Sequence, residues 1–185
     1  MKIYRKLIYE IDGLKFFLQN LNASRYLPIF NTEIGENYTI SPCSKDDIEN
    51  LCSFHKLLRN DSVLNFWRKI LYRKRGLKLV AIIKNIKNDI IGFEMFYFKK
   101  YEAKNGIIHE AFIGIDEKYK NKGLATILRK FSIKHFCNTN LSAVSTNIPI
   151  DNMPSLASAQ KVGFKISSKM STKKDLYLYY DLTKG

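Results

Sequence analysis

Residues 107–130 read IIHEAFIGIDEKYKNKGLATILRK, and this stretch decides the fold. A run rich in β-branched residues reaches Asp116, which is typical of a buried strand. A short basic turn that contains Gly123 follows, and apolar residues then recur at helical spacing from Leu124. The stretch therefore predicts a strand, a turn and a helix. Such a turn directs free backbone N–H groups and the positive end of a helix dipole at one point, where a phosphate group binds well.

The bulk composition limits the class of protein. The chain has 185 residues, enough for one well-buried domain, and 45% of them are apolar, so disorder is not expected. Residues 1–30 lack the order of a signal peptide, and no apolar run approaches the length of a membrane span. The three cysteines and three histidines form no metal-ligand pattern. We therefore expect a soluble, cytoplasmic protein without a disulfide framework or a metal site.

The net charge of +14 allows two interpretations. It favours an anionic partner such as a nucleotide, a nucleic acid or a membrane surface. Lysine, asparagine and isoleucine are abundant throughout, so a compositional drift that spreads solvated lysines over the surface explains the charge as well. Binding to nucleic acid is therefore compatible with the sequence but not required by it.

Residues 1–37 are interpreted as an N-terminal extension to a main domain at 38–185. Apolar residues at odd positions between Ile3 and Ile11 predict an edge strand, and residues 14–21 predict a short helix. We expect this extension to pack on the main domain, with a lid or a dimer contact as the alternative.

The rest of the chain alternates between strand and helix patterns. In order, it predicts a strand at 38–40, a helix from the N-cap Ser44 to about Leu58, a second helix from Asp61 or Ser62, strands at 77–83, 90–98 and 106–115, a helix from about Lys122, a strand at 141–146, a helix at 152–162 and a strand at 176–182. Turn signals between the three middle strands predict an antiparallel meander. The second helix has a basic face made of Arg68, Lys69, Arg73, Lys74 and Arg75.

Residues 120–125 read KNKGLA, residues 152–155 read NMPS and residues 161–164 read KVGF, and these motifs in this order resemble the GNAT superfamily of N-acetyltransferases. The family's acyl-CoA-binding motif reads Arg or Gln, two residues, Gly, one residue, then Gly or Ala, and residues 120–125 read KNKGLA, with Lys120 as a conservative departure. Residues 152–155 (NMPS) followed by 161–164 (KVGF) resemble the second motif, and residues 91–93 (IGF) also match. The resemblance covers residues 38–182.

The resemblance implies an α/β (α+β) fold. Its central sheet is mixed, mostly antiparallel and twisted, has six to seven strands flanked by helices, and shows a V-shaped splay between the fourth and fifth core strands. It also implies acetyl-CoA as the donor and an amine as the acceptor, with no metal. A homodimer is compatible with it.

The resemblance further implies which residues bind the donor. Backbone amides of the turn would hold the pyrophosphate, and the pantetheine arm would enter the splay as an extra strand. The implied cofactor-binding residues are Phe112, Ile113, Ile115, Lys120, Asn121, Lys122, Gly123, Leu124, Ala125, Thr126, Asn152 and Ser155. Two of them have simpler alternatives, because Gly123 also suits an ordinary turn and Asn152 a helix N-cap.

Glu110 is the best candidate for a catalytic base. A carboxylate within an otherwise apolar strand is expected to have a raised pKa. The alternative is an exposed or salt-bridged strand residue. His109 alternates to the opposite face, so at most one of the two points into the cleft.

Ser155 is the expected partner of the departing thiolate. Many family members place a Tyr seven residues after the motif Asn, and this chain has Ala159 there. Ser155 is the nearest remaining hydroxyl in the motif, and Tyr177 and Tyr179 are weaker candidates.

The acceptor is expected to be the primary amine of a small molecule. The basic helix face at 68–75 would suit an anionic acceptor such as a nucleotide-linked amino sugar, although a solvated face explains it equally well. The alternatives are a macromolecular acceptor, either a protein N-terminus or an aminoacyl-tRNA, and a non-catalytic acyl-CoA-binding module.

Overall fold

The structure is a computed structural model that describes residues 2–59 and 61–184. The helices are α1 (Lys2–Ala23), α2 (Ile48–Leu58), α3 (Phe66–Leu79), α4 (Lys100–Ala103), α5 (Leu124–Phe136) and α6 (Met153–Val162). The strands are β1 (Glu33–Ile34), β2 (Tyr38–Pro42), β3 (Val80–Asn85), β4 (Ile90–Tyr97), β5 (Ile107–Ile115), β6 (Ala143–Pro149), β7 (Lys165–Ile166) and β8 (Asp175–Asp181).

All eight strands form one sheet in the order β1-β2-β3-β4-β5-β6-β8-β7. Strands β1 to β5 pair antiparallel as the predicted meander requires, β5 and β6 are parallel, and the remaining pairs are antiparallel. The predicted fold class, a mixed and mostly antiparallel sheet flanked by helices, is confirmed. The sheet has eight strands and not the predicted six or seven. The two short strands β1 and β7 have two residues each, too few to give a periodic pattern in the sequence.

Side-chain alternation on β4 places the helices on two faces of the sheet. Phe93 packs edge-on against Phe54 of α2, whereas the next residue, Glu94, accepts a hydrogen bond from Ser132 of α5. Successive strand residues point to opposite faces, so α2 and α5 cover opposite sides. The core between these layers holds most of the buried aliphatic side chains of β3 and β4.

Strand β5 leaves its partner β6 halfway along its length. The parallel pairing runs from Ile107 opposite Ala143 to Glu110 opposite Thr146 and then stops, although both strands continue. At the same place the register with β4 shifts, so that Ala111 is the extra residue of a β-bulge. The fourth and fifth core strands, β5 and β6, therefore separate where the sequence predicted a splay.

The predicted N-terminal edge strand is wrong, because residues 2–23 form one helix. Positions 3, 7 and 11, which indicated a strand, are also four residues apart and fit a helix equally well. The helical arrangement prevails because it lays Gly13, Phe17 and Asn20 against the rest of the protein. The extension also continues into the main core, where Phe30 is 2% exposed.

Helix boundaries shift at α2 and α3. Ser44 does not cap α2; it closes a turn with Asp47, which accepts from both its N–H and its hydroxyl, and α2 begins at Ile48. Helix α3 begins after the N-cap Asn65 and ends at Leu79, inside the predicted strand at 77–83. Leu79 stays helical because it continues a buried stripe at helical spacing. Among the described residues, no helix has the length and apolar character needed to cross a membrane.

Candidate active site

A cavity of about 650 Å³ lies where β5 and β6 separate, and its volume is in the usual range for ligand pockets. Its walls come from the end of α2, the second half of β5, the turn before α5 with the start of that helix, and α6. The lining residues are Leu58, Arg59, Phe112, Ile113, Gly114, Ile115, Tyr119, Lys120, Asn121, Gly123, Leu124, Ala125, Thr126, Arg129, Asn152, Pro154, Ser155, Ala157, Ser158 and Lys161. The two sequence motifs therefore meet in one space.

All but one of the predicted cofactor-binding residues line this cavity. The exception is Lys122, whose ammonium group lies 5.1 Å from the centre of the Tyr119 ring. The structure thus brings together residues from β5, the turn and α6 that are separated by up to 43 positions in the chain. Their contact with an acyl-CoA stays a prediction.

The turn before α5 forms an anion site from backbone alone. Gly123 is the N-cap at φ 75°, the left-handed region, and Asn121 also has a positive φ of 59°. The first helical turn contains no acidic residue, and its N–H groups have no acceptor within the helix. A Cβ on Gly123 would meet no heavy atom within 4 Å, so this part of the backbone faces open space. These features suit a phosphate group.

Gly123 is favoured by its own backbone conformation. In the protein by itself, the left-handed φ at this position is what favours glycine. Lys120 is paired with Glu117, and Lys161 lies on the α6 wall. The cavity therefore has cationic groups near the anion site.

Arg129 of α5 connects β5 to α6 from a fully buried position. Its Nε and Nη2 atoms donate to the two carboxylate oxygens of Glu110 at 3.0 and 2.8 Å. Its Nη1 and Nη2 atoms donate to the carbonyl oxygen and Oγ of Ser155 at 3.0 and 3.1 Å. Such a two-point pair fixes both partners, and this one fixes the start of α6 relative to the splay.

Glu110 is salt-bridged, as the alternative interpretation of the sequence had it. Burial raises the pKa of its carboxyl group, but the charge and hydrogen bonds of Arg129 outweigh burial, so the pKa is lowered. The expectation of a raised pKa is therefore wrong, because the apolar strand pattern could not show that a cation from α5 lies opposite. Glu110 is 3% exposed and does not line the cavity.

The raised pKa belongs to Glu94 on the neighbouring strand. Burial raises the pKa of Glu94 well above its usual range, and the negative charge of Glu110 raises it further. Glu94 is therefore a neutral acid that hydrogen-bonds to Glu110, and its Oε2 accepts from Ser132 Oγ at 2.6 Å. Together with Arg129 the two carboxyl groups carry no net charge, which makes their burial tolerable.

Ser155 and Asn152 both lie at the start of α6 and both line the cavity. Asn152 is the N-cap, and its side-chain oxygen accepts from the Ser155 N–H at 3.2 Å. The simpler role of Asn152 is thus present in the structure, and a ligand contact stays a prediction. Ser155 Oγ accepts from Arg129, which leaves its own hydroxyl hydrogen free to donate.

His109 lies on the other face of the sheet in a separate polar cluster. Its Nδ1 is 2.8 Å from Ser145 Oγ, and Ser145 donates its single hydrogen to Glu102 at 3.0 Å. Nδ1 must therefore be the donor of the first bond. Tyr177 also donates to Glu102, at 3.0 Å, so this tyrosine belongs to the cluster and not to the cavity. Burial lowers the pKa of His109 to about 3, which makes it a poor proton acceptor.

The basic face of α3 is less free than the sequence indicated. Lys69 and Arg73 both bind Glu49 of α2, at 2.8 and 2.6 Å. Arg68 stacks over the rings of Phe16 and Tyr97. The structure therefore gives three of the five basic side chains partners within the chain.

Sequence reasoning missed several cavity residues, Arg129 above all. A lone arginine among apolar helix positions was a usable signal, since a charge on a buried stripe needs a partner. Arg59 and Lys161 carried no such signal, because cations are abundant in this chain. Arg59 reaches the cavity by stacking over Phe112, with 5.0 Å between its guanidinium carbon and the ring centre.

Two comparisons place the chain among known sequences. The profile of the acetyltransferase (GNAT) family matches residues 46–164, which is more than half of the chain. An N-alpha-acetyltransferase from Saccharolobus solfataricus is 23% identical over 139 residues, which cover 71% of this chain and 82% of that protein.

Solved structures share the fold. The Salmonella typhimurium protein yncA, solved with its cofactor acetyl-CoA, superposes with a TM-score of 0.65 and 17% identity over 80% of this chain and 95% of that one. A dodecameric spermidine N-acetyltransferase from Vibrio cholerae gives a TM-score of 0.61 and 15% identity over 81% of this chain and 96% of that one. These findings confirm the expected fold class and the expected class of enzyme, an N-acetyltransferase. The chain belongs to the acetyltransferase (GNAT) family.

Proposed function

We propose that this protein transfers an acetyl group from acetyl-CoA directly to a primary amine that carries no further positive charge. The observation that carries the proposal is that one cavity joins the anion site before α5 to the splay of β5 and β6 and to Ser155. A phosphate site, an open strand edge and a free hydroxyl are the three features that the donor requires.

The donor's pyrophosphate is assigned to the backbone N–H groups from Asn121 to Thr126. This segment combines the positive end of the α5 dipole with open space beside Gly123. Lys161 on the facing wall adds a positive charge. The pantetheine arm is assigned to the edge of β5 beyond Glu110, which has no strand partner, so that its amides pair with backbone groups near Phe112 and Ile115.

Ser155 is assigned to the departing sulfur. Its hydroxyl hydrogen is free because Arg129 already donates to its oxygen, and the adjacent guanidinium polarises the hydroxyl. Glu110 is assigned a positioning role, because it holds Arg129 in place and does not reach the cavity. The sequence-based proposal of Glu110 as a base is replaced by this role.

The proton of the amine is assigned to water. Neither an acidic side chain nor a histidine is among the described residues that line the cavity. His109, with a pKa of about 3, is no substitute. We therefore attribute most of the rate to holding the thioester carbonyl next to the amine.

The charges around the cavity favour a neutral or anionic acceptor. Its lining contains Arg59 and Lys161 besides Arg129 and Lys120, which are paired with Glu110 and Glu117, and, within the described residues, no acidic side chain. A second ammonium group on the acceptor would be repelled. A nucleotide-linked amino sugar satisfies this requirement, whereas a polyamine such as the substrate named for the Vibrio cholerae protein does not.

A protein N-terminus is the second candidate acceptor. The observation in its favour is the similarity to the N-alpha-acetyltransferase of Saccharolobus solfataricus. A peptide with an acidic second residue presents one ammonium group beside a negative charge, which also suits the lining.

A panel of amines tests both assignments by the release of free CoA thiol. The panel contains a nucleotide-linked amino sugar, a peptide with a free and the same peptide with a blocked N-terminus, an aminoacyl-tRNA and spermidine. We expect turnover with the sugar or the free peptide and at least tenfold lower kcat/KM with spermidine. Spermidine as the best acceptor would overturn the charge argument, and acetyl-CoA binding without turnover of any amine would indicate a non-catalytic module.

A further inference from the structure

Helix α1 exposes a second apolar face on the side away from the rest of the protein. Six large side chains on this face are each between 41% and 68% exposed: Tyr4, Leu7, Ile8, Ile11, Leu14 and Leu18. They recur at intervals of three and four residues, so they form one continuous stripe along the helix. We call these six residues the α1 stripe.

The opposite side of α1 already packs on the protein. Trp67 Nε1 of α3 donates to Glu10 at 2.9 Å, and Phe17 packs against the same ring. Asn20 bonds both the carbonyl and the N–H of Phe98 at the end of β4. The α1 stripe is therefore not the face that anchors the helix, and a helix that is apolar on both sides is normally buried on both.

The stripe has the heptad spacing of a coiled coil. Tyr4, Ile11 and Leu18 occupy successive a positions, and Leu7, Leu14 and Leu21 the d positions, across the 22 residues of α1. In parallel coiled coils Ile at a with Leu at d favours two strands, and Ile11 at the central a position lies between Leu7 and Leu14 at d. The pattern is complementary to itself, because each residue of the seam meets its own counterpart in a parallel pair.

We propose that α1 pairs in parallel with α1 of a second copy of this chain, so that the protein is a homodimer joined by a two-stranded coiled coil. Charge supports the parallel direction. With Tyr4 at a, Glu10 is at g and Lys15 is at e, and in a parallel pair g of one helix faces e of the next heptad on the other. Glu10 of each copy thus meets Lys15 of the other, while its bond from Trp67 holds the carboxylate beside the stripe.

The exposed area is sufficient for such a dimer. The stripe presents on the order of 500 Å² of apolar surface, which is large for a patch that faces water. Two stripes brought together remove roughly 1,000 Å² from water, the size at which a specific interface begins. No other described helix has such a row: α2 and α3 expose single large apolar residues such as Leu57 and Phe66.

A membrane surface is a poorer match for the stripe. An amphipathic helix that binds anionic lipid carries mainly Lys and Arg beside its apolar face. Here the polar flanks of the helix carry both signs, because Glu10 and Asp12 lie in its middle among Lys and Arg residues. Apart from Ile8 at position e, the α1 stripe is also a narrow seam with residues at a and d.

Sedimentation velocity of the full chain tests the dimer. We expect the wild type at twice the 21.6 kDa chain mass and Leu7→Glu/Leu14→Glu at the chain mass, with unchanged far-ultraviolet circular dichroism. Both replaced side chains are exposed, so the fold is expected to tolerate them. The matched control, Leu57→Glu/Ile86→Glu, changes two other exposed apolar residues and should stay dimeric.

Disulfide trapping tests the direction of the pair. In a Cys137→Ser background, which removes the exposed native thiol, Leu14→Cys places the same d position of both copies in contact and should cross-link on mild oxidation. Asp12→Cys, on the outer side of the same helix, should not. In an antiparallel pair the two copies of residue 14 would lie apart, so the absence of a cross-link in the Leu14→Cys dimer would overturn the parallel arrangement.

Three outcomes would overturn the dimer itself. The first is a wild type that sediments at the chain mass at every concentration. The second is a dimer that survives Leu7→Glu/Leu14→Glu, since the interface would then lie elsewhere. The third is a monomer that floats with phosphatidylserine vesicles and loses this property in the same variant, which would make the stripe a membrane-binding face.

Discussion

At the scale of single residues, one arginine determines how the site is held together. Arg129 is 1% exposed and contacts both Glu110 and Ser155, so a charge pair and the hydroxyl proposed for the departing sulfur share one guanidinium. Its own pKa is raised, because the attraction of Glu110 outweighs the burial that would lower it. Burying such a pair removes both charges from water, which is unfavourable. Removing one partner leaves the other as a buried charge without a counter-charge.

Ser155→Ala is expected to lower kcat about tenfold to a hundredfold, because the departing sulfur loses its hydrogen-bond donor. The KM for acetyl-CoA should change little, because the backbone N–H of residue 155 still donates to the side-chain oxygen of Asn152 and the start of α6 keeps its N-cap. Steady-state kinetics with saturating acetyl-CoA measure both constants. Ser53→Ala, which changes an exposed serine of α2, is the control, and an unchanged kcat in Ser155→Ala would contradict the assignment.

The Glu110→Gln variant distinguishes between two roles of Glu110, a positioning residue and a general base. If Glu110 only holds Arg129, kcat falls and the free energy of unfolding falls by about 3 kcal/mol, while the pH profile of kcat/KM keeps its shape. A base would instead remove the acidic limb of that profile. The exposed Glu117→Gln, which breaks the pair with Lys120, should leave stability within about 0.5 kcal/mol of the wild type.

His109 predicts sensitivity to acid. Burial, together with the cations of Lys99 and Arg68, lowers the pKa of His109 to about 3, whereas the unfolded chain has its ordinary value of 6.5. A lowered pKa gives stability that is present above pH 6.5 and lost as the pH falls towards 3. Urea unfolding measures the free energy of unfolding at pH 7 and at pH 4. The decrease between these two pH values should be about 3 kcal/mol smaller in His109→Asn than in the wild type. Equal losses in the two proteins would contradict this burial.

At the scale of elements, the strand, turn and helix at 107–130 act as a unit. The bulge at Ala111 frees one edge of β5, and a few residues later the left-handed Gly123 turns the chain into α5 with its first amides exposed. The open strand edge, which begins at Ala111, and the anion site at Gly123 are thus only twelve residues apart in the chain. Both are set by backbone geometry, so side-chain substitutions around them are expected to be less harmful than changes of backbone.

Gly123→Ala is expected to raise the KM for acetyl-CoA at least tenfold. The new Cβ points into open space in the protein alone, but that space is the proposed path of the pyrophosphate. Gly106→Ala is a matched control, because Gly106 has φ 67° against 75° in Gly123 and its Cβ would make ordinary contacts far from the cavity. Both variants should lose about 1 kcal/mol of stability. A similar KM in the two would remove Gly123 from the donor site.

At the scale of the whole molecule, residues 2–37 are part of the folded body. Leu27 and Phe30 lie in the same core as the sheet, and Phe30 stacks among Phe131, Phe136 and the ring of His135. Helix α1 then spans the outside of α3 and leaves its stripe for a second copy. The segment that carries no family motif thus supports the core on one side and, in our proposal, assembly on the other.

Phe30→Ala is expected to lower the free energy of unfolding by about 3–5 kcal/mol, because it leaves a cavity between α5 and β4. Phe66→Ala removes the same ring from a side chain that is 64% exposed and should cost less than about 1 kcal/mol. Chemical denaturation of both variants measures the difference. A small effect at Phe30 would mean that residues 1–37 are a separable appendage.

Hydrophobic periodicity predicted the secondary structure correctly where an element buries one face, and it failed where the same residues fit both the strand and the helix pattern. The meander, α5 and α6 were predictable because each repeats over many residues. Residues 3–11 fit a strand and a helix equally well, and only the docking of Phe17 on Trp67 resolves them. For the site, nearly all the predicted cofactor-binding residues line the cavity, but no local pattern revealed that Arg129 faces Glu110.

The sequence by itself determined the order of the main elements from residue 38 onwards, the turn that contains Gly123, the helix that follows and the family to which they belong. These depend on neighbours within a few positions, which a sequence displays directly. The tertiary structure alone decided the protonation states and partners of the buried groups. Glu110 and Arg129 are nineteen residues apart, and Glu94 reaches Glu110 from another strand, so the electrostatic environment of each exists only after the sheet and α5 have packed together.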